Sequence, residues 1–479
     1  MDQQVAHDRG GETMISIPRR LSYNGHATGA VDTSVLVKDK IARAIGSRNV
    51  WTSSENSNTN NAWNVQFPSA SVNNNNKNNT YAVRPLVASW DDYVASWIGA
   101  YDDCVRKKRT SPSCDRYRAT WEHDLLLLAM EVYGRSYRPL PSHRFGVSHP
   151  RPREVFAAQF RDRIVHHWIA LRVEPIIEER YESMGNVSTN CRKGYGTQLS
   201  VRTASEGIRR VSGGYTMEAF VGKFDLEACF TSVDVELLLG LVSRDLLPLY
   251  SGEDRDLLEW VIGVTLRNRP HEGAVLFGSK RLLDAVPEGK RMRGDRGVPI
   301  GNLPSQLFVN FLLSYLDEYI LGLLEQEEGE TFYIRFSDDF VVACHSRSSM
   351  KRIRRLADSF VSERLHMRLH PRKVYMQESR HGVHFLGCVI MPGRIYPDNT
   401  AVHALGRSLS RLEDACSSGT EDDIRKCTAS ANSYLGLMGH TESYGIRRRM
   451  LTERKCIWKR CYVTNRFRTI KTKKHDRNQ

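Results

Sequence analysis

Cysteine is sparse in this chain and never clustered. Ten cysteines are spread from Cys104 to Cys461, none in a Cys-x-x-Cys pair; the closest two, Cys456 and Cys461, have no second cluster to complete a zinc site. That spacing argues against a disulfide scaffold or a structural zinc and fits free thiols in a reducing compartment. Long apolar runs are missing as well. The longest, "LLLLAM" at 125–130 and "FLLSYL" at 311–316, fall far short of a bilayer span. The opening "MDQQVAHDRGGE" lacks the apolar stretch of a signal peptide. The expectation is a cytoplasmic protein with no membrane partner. Acidic charge is in deficit: 69 Lys and Arg face 55 Asp and Glu, a net +14. Such a surplus suits a partner rich in phosphate, although a solvated basic surface would show the same balance.

What is present is globular. The chain has 479 residues, 40% hydrophobic and 26% charged, enough for two or three domains with cores. Residues 1–50 read as an extension with one short helix in "SVLVKDKIARAI". The composition then shifts: eleven Asn fall between Asn56 and Asn79. Asn competes with regular ladders, so 51–88 reads as a flexible tether or a small strand patch. Helical spacing begins near Trp90, resumes in "RATWEHDLLLLAMEVY", and predicts a third helix over 160–181 broken around Pro175. "YTMEAFVGKFDLEACF" reads as a strand running into a turn and helix, 234–265 as largely helical, and 266–296 as loops with a strand or two. "PSQLFVNFLLSYLDEYILGLLEQEE" predicts a long amphipathic helix with Pro304 near its start. Two short strands around a turn, a helix, two more strands, helices over 401–450 and a basic tail over 451–479 complete the reading. The pattern is α+β, with one antiparallel sheet followed by a helical domain.

"FYIRFSDDFVVA" puts Asp338 and Asp339 side by side between apolar runs. Adjacent carboxylates repel unless a cation sits between them; alone, the pair is also a harmless hairpin turn. A third acid, Asp225, ends the apolar strand "AFVGKF". If the two strands are neighbours, Asp225 and Asp338 meet at the sheet edge. Hard oxygen ligands of this kind suit Mg2+, and two such ions can activate a 3′-hydroxyl and hold a leaving pyrophosphate. Arg192 and Lys193 in "NCRKGYGT" offer charge for a triphosphate, and Phe230, five residues after Asp225, a ring to close a sugar pocket. Lys373 lies near a strand start, within reach of a leaving phosphate, or else is a surface lysine. "GVPIGNLPSQ", 297–306, is a rigid loop suited to lining a base or template, or a plain helix-leading turn.

Together these stretches resemble a bacterial reverse transcriptase, in the group II intron-like superfamily. "RDRIVHHWI", "CRKGYGT", "FDLEACFTSVD", "RGVPIGNLPSQLFVN", "FSDDF", "HPRKVYMQ" and "HFLGCVI" occur in the family's order over roughly 160–390. The family's double-acid motif is usually Tyr-x-Asp-Asp; here Phe336 replaces Tyr. The resemblance implies a right-hand polymerase with fingers, palm and helical thumb. It implies Asp225, Asp338 and Asp339 as catalytic acids, with the Leu226 backbone joining them as ligands of two Mg2+ ions, Mn2+ being able to substitute. Phe230 matches the steric gate; Arg192, Lys193, Ile300, Gly301, Gln306 and Lys373 fall in nucleotide-contacting stretches; Leu386 and Gly387 match the primer grip. The implied segments are an extension (1–50), the Asn-rich stretch (51–88), N-terminal helices and fingers (89–220), palm (221–390, with an insertion near 266–296), thumb (391–450) and basic tail (451–479).

Relatives carry Pro-Gln-Gly before the helix where this chain has Pro299-Ile300-Gly301. That pattern resembles the enzymes of diversity-generating retroelements, which copy a template-repeat RNA into cDNA with errors opposite adenine. Losing a glutamine near the templating pair makes looser base selection physically reasonable. The Asn-rich stretch resembles the variable end of the proteins those systems diversify, and adenine-rich Asn codons suggest a template repeat overlapping or fused into the reading frame. The implied partners are the noncoding template-repeat RNA, an RNA/cDNA hybrid, dNTPs and a small basic helical accessory protein forming a pentameric ring. The basic runs "RKKR" at 106–109 and 451–479 are candidate RNA surfaces, or solvated faces. The setting would be bacterial or phage-encoded and cytoplasmic. The alternatives are an antiphage-defence or abortive-infection reverse transcriptase, or an idle RNA-binding scaffold.

Overall fold

The computed structural model describes residues 5–7, 13–14, 49–55, 61–66, 71–76, 82–84, 90–106, 111–148 and 151–473. The helix expected in "SVLVKDKIARAI", most of the "RKKR" run and the last six residues lie outside them. The Asn-rich stretch forms strands Asn49–Glu55, Asn61–Gln66 and Ser71–Asn76, paired antiparallel in that order. The chain divides into two compact units, Met1–Arg180 with Phe230–Leu312, and Tyr181–Cys229 with Leu313–Gln479.

The first unit is mainly helical. Trp90–Val105 and Trp121–Tyr133 pack through Tyr93 and Tyr133, and the Trp168 ring stacks on Trp97 at 5.0 Å. Phe160–Ser183 is one continuous helix, not the broken one expected at Pro175. Pro175 lies on the exposed side, and the carbonyl it deprives of a donor belongs to Leu171, itself 39% exposed, so the missing hydrogen bond falls outside the core. At the start of this helix Asp162 accepts from the Leu140 amide (3.0 Å) and the Tyr137 hydroxyl (2.9 Å). A small sheet joins His143–Val147 to Arg153–Ala157 antiparallel and to the two-residue strand Val275–Leu276 in parallel.

In the second unit four strands make an antiparallel sheet: β1 (Phe220–Asp225), β2 (Phe332–Phe336), β3 (Asp339–Cys344) and β4 (Tyr375–Glu378), in the order β2-β3-β1-β4. Alternation sorts their side chains. Val221, Ile334, Val341 and Ala343 pack with Val201, Ala204 and Ile208 of helix Thr197–Val211 and with Phe385 and Ile390. On the opposite face Phe224 stacks on Phe340 at 4.8 Å, and Gly222 lies against Met350 of helix Arg347–Arg364. "VHFLGCVI", expected as one strand, is a hairpin: Leu386 and Gly387 take φ of 50° and 78° and turn Val383–Phe385 back onto Cys388–Met391.

The helix Leu303–Leu324 was expected to be amphipathic, but apolar and polar residues alike are buried around it, Phe308, Leu312, Leu316 and Ile320 together with Asn310, Ser314 and Asp317. By length and composition it is apolar enough to cross a bilayer, yet its apolar stretch is 67% buried within the protein. Helices Asn399–Ser418, Glu421–Met438 and Tyr444–Thr452 follow as expected. The sequence beyond them is no loose tail. Cys461–Thr464 and Thr469–Thr472 form a hairpin whose Cys461 and Ile470 join Leu409, Leu412, Leu435 and Leu451 in one core. Asn432 makes reciprocal bonds to the Ile470 backbone at 2.8 and 2.7 Å. The whole is α+β.

Candidate active site

Tight pairing at the end of β1 and β3 creates the site. The register sets Asp225 opposite Asp339, so Asp339, rather than Asp338, faces Asp225. Asp338 sits on the two-residue turn between β2 and β3. The preceding Ser337 has φ 58°, as the first central position of a tight hairpin can require. Asp338 is tied to β1 through its backbone, its carbonyl accepting the Leu226 amide at 3.1 Å. Leu226 itself is 1% exposed and bridged to Leu369, leaving its carbonyl as the group able to act as a ligand.

Two lysines share this end of the sheet. Lys223 is two residues before Asp225 and therefore on the same face of β1. Its ammonium pairs with Asp339 and lies 3.8 Å from Asp225 Oδ2. Lys373, which read equally as a surface lysine, donates to Asp225 Oδ1 at 2.6 Å. Asp225 is 4% exposed, and a bare carboxylate there would be costly without these cations. Burial pushes the Asp339 carboxyl up to about 6; Lys223 pulls it down, while Asp225 and Asp338 push it further up.

Among the described residues no three His, Cys, Asp or Glu side chains gather closely enough to hold a metal ion. Even so, the donors between β1 and β3 suit a hard cation: carboxylate oxygens converge, and the Lys223 ammonium stands between two of them as a positive charge.

Behind the turn lies a feature the motif reading missed. Arg335 and Asp317, both 0% exposed, form a two-pronged ion pair, Nε to Oδ1 at 2.7 Å and Nη2 to Oδ2 at 2.6 Å. Tyr333 adds a 2.6 Å bond to the same carboxylate, and Arg335 Nη1 donates to the Ser337 carbonyl at 3.1 Å. Burial works against the guanidinium charge, but Asp317 outweighs it and the pKa of Arg335 is raised. The pair therefore anchors the turn that carries Asp338. The signal was charge set inside two apolar elements, Arg335 in "FYIRF" and Asp317, beside Glu318, in "FLLSYLDEYIL".

The remaining candidates divide between the units. In the second, Arg192 is 7% exposed, its guanidinium between the rings of Tyr181 and Tyr195 and bonded to the Ser188 carbonyl and Asn186 Oδ1 at 2.7 Å. It holds its own loop together, while Lys193 beside it is exposed. Leu386 and Gly387 form the hairpin turn described above. In the first unit, the carbonyl of half-buried Phe230 accepts the Val298 amide at 2.8 Å, and the Ile300 carbonyl accepts the Phe156 amide at 3.0 Å. Gly297 and Gly301 allow this double pinning: their φ values are 91° and 111°, and a Cβ would lie 2.8 Å from Thr231 Cα or Val155 Cγ1. Half-buried Gln306 follows in the first turn of the next helix.

A family model described as reverse transcriptase (RNA-dependent DNA polymerase) matches residues 150–390. Among curated proteins, none matches. Solved structures similar to this chain include telomerase from Candida albicans in complex with a TWJ fragment of telomeric RNA, 13% identical over 67% of this chain and 57% of that one, with a TM-score of 0.38. Apo telomerase from Candida tropicalis is 12% identical over 66% and 57%, with a TM-score of 0.40. The chain thus spans a little over half the length of these telomerases.

Proposed function

Because the chain belongs to the reverse transcriptase family, we propose that it is an RNA-directed DNA polymerase with its nucleotidyl-transfer centre at Asp225, Asp338 and Asp339. The observation that carries this reading is the register Asp225–Asp339 beside the Asp338 turn. Two divalent ions, Mg2+ or Mn2+, would be held by these three carboxylates and the Leu226 carbonyl; when bound they supply the positive charge that favours a 3′-alkoxide and stabilises departing pyrophosphate. The chain's own groups do the rest. Lys223, paired with Asp339, and Lys373, bonded to Asp225, hold the carboxylates in place before substrate arrives. Lys373, held at Asp225 Oδ1, stands where it can reach the leaving phosphate. By the family resemblance, Phe230 would limit room at the sugar, Lys193 would meet the triphosphate, and Ile300, Gly301 and Gln306 would attend the base. Leu386 and Gly387 turn the hairpin against the primer.

The finer role we assign is diversification: error-prone copying of a template-repeat RNA into cDNA, with a ring of small basic helical proteins as partner, in a bacterial cytoplasm, the enzyme being bacterial or phage-encoded. Ile300 in place of glutamine and the Asn-rich strands at 49–76 support it. Incorporation of labelled dNTP on an RNA template tests the core assignment. Asp225→Asn, Asp338→Ala and Asp339→Ala should each reduce it by at least ~100-fold; synthesis at the parent rate in these variants refutes it. Sequencing the cDNA tests the finer role, because errors concentrated opposite adenine are expected and an even error spectrum contradicts it.

A further inference from the structure

The hairpin that ends the described chain carries an electrostatic feature the polymerase centre does not use. Its turn places three successive residues in the left-handed region, Asn465, Arg466 and Phe467, at φ 53°, 53° and 62°. Arg447 holds them there. It is 2% exposed, and its Nη1 donates to the carbonyls of Arg466 (2.9 Å) and Phe467 (2.7 Å) while Nε donates to Ser443 Oγ (3.0 Å). All three acceptors are neutral, and no carboxylate among the described residues pairs with this guanidinium. Burial, followed by the charge of Arg468, lowers its pKa. A buried cation with no counter-charge is an expensive arrangement, and the turn it holds borders an opening lined by further arginines.

Between the turn and the end of helix Glu421–Met438 opens a cavity of about 500 Å³, lined by Gly436, Gly439, His440, Asn465, Arg466 and Arg468 among others. The Arg468 stem lies along Gly439, where a Cβ would come within 3.2 Å of its Cδ. Arg202, from helix Thr197–Val211, bears on the same spot: after burial, its charge and that of Arg468 are what lower the pKa of His440. Arg202, Arg466 and Arg468 are exposed and make no ion pair among the described residues. The nearest acid to His440 in sequence, Glu442, does not line the cavity.

We propose that this cavity is an anion site that takes a backbone phosphate of a nucleic-acid strand. Exposed guanidiniums around the opening and a buried one behind the turn match the charge and the multiple acceptor oxygens of a phosphodiester. That the phosphate belongs to nucleic acid rests on the polymerase reading; the preference of the cavity for an anion does not.

The test uses the full chain and a fluorescein-labelled RNA–DNA hybrid duplex, with Kd measured across a NaCl series. The double variant Arg466→Gln/Arg468→Gln should bind roughly 5- to 20-fold more weakly, with the log–log salt slope reduced by about 1. Arg425→Gln, an exposed arginine paired with Asp422, should leave that slope unchanged. Equal Kd and slope in the parent and the double variant overturn the proposal. Thermal unfolding with inorganic phosphate separates the sources: if phosphate stabilises the parent alone while hybrid binding is equal in both, the site takes a small free anion and the nucleic-acid assignment is overturned. Incorporation of dNTP by the parent is read independently. If it is absent while the double variant still loses hybrid binding, the polymerase reading fails and the anion site stands.

Discussion

At the residue scale, two buried charged groups, Arg335 with Asp317 and Asp162, are met by named partners, and the partners make the claim testable. Arg335→Met strands Asp317 in a site with 0% exposure and removes the Ser337 anchor. Breaking such a pair costs about 3–5 kcal/mol, read by urea unfolding, whereas Arg335→Met with Asp317→Leu should recover much of that loss. If the single and double variants are equally unstable, the ion pair is not what holds this region. Asp162 gives a pH test. Burial pushes its carboxyl up to about 6, against the pull of the Leu140 amide, the Tyr137 hydroxyl and Arg161. An acid raised above its unfolded value favours the protonated fold. Its stabilisation is complete below about pH 4 and lost as pH rises past about 6, a swing on the order of 3 kcal/mol. Asp162→Asn should therefore remove a downward slope in stability between pH 4 and 6 that the parent shows; identical slopes would contradict it.

At the element scale, periodicity made most helices and the palm strands readable, because apolar spacing is a local property. The failures are non-local. Nothing near Pro175 says that its missing donor will face outward, so a break was expected where the helix continues. Restoring the donor with Pro175→Ala should stabilise the protein by about 1–3 kcal/mol, visible as a higher Tm; no change would mean the helix has already absorbed the kink. "FLGC" carried its turn in one glycine, which a continuous apolar run masked. In the candidate site, the double acid between apolar runs and the lone acid closing a strand were legible as a pair of facing strand ends. The register that matched Asp225 to Asp339 was not, since it pairs two strands far apart in sequence and no local turn joins them. Lys223 was overlooked although period two put it on the face of Asp225.

At the scale of the whole molecule, composition pointed to a phosphate-rich partner, and the motif order pointed to the family that the match over 150–390 establishes. What composition hid was the fate of the last described residues. Their basic character suggested a free tail, yet Cys461 and Ile470 are 0% and 1% exposed. Ile470→Ala should cost about 2–4 kcal/mol and weaken hybrid binding through the displaced turn, while the exposed neighbour Lys471→Ala should change stability by less than about 0.5 kcal/mol. Equal effects would mean that the hairpin only rests on the helices.

That closing hairpin also sets a schedule. Helices Asn399–Ser418 and Glu421–Met438 leave the ribosome with one side of their shared interior still wet, and they stay so until residue 472 has followed. A chain ending short of that point would carry the acids of the sheet but leave Leu409, Leu412, Leu435 and Leu451 without the Cys461 and Ile470 side chains that close their core.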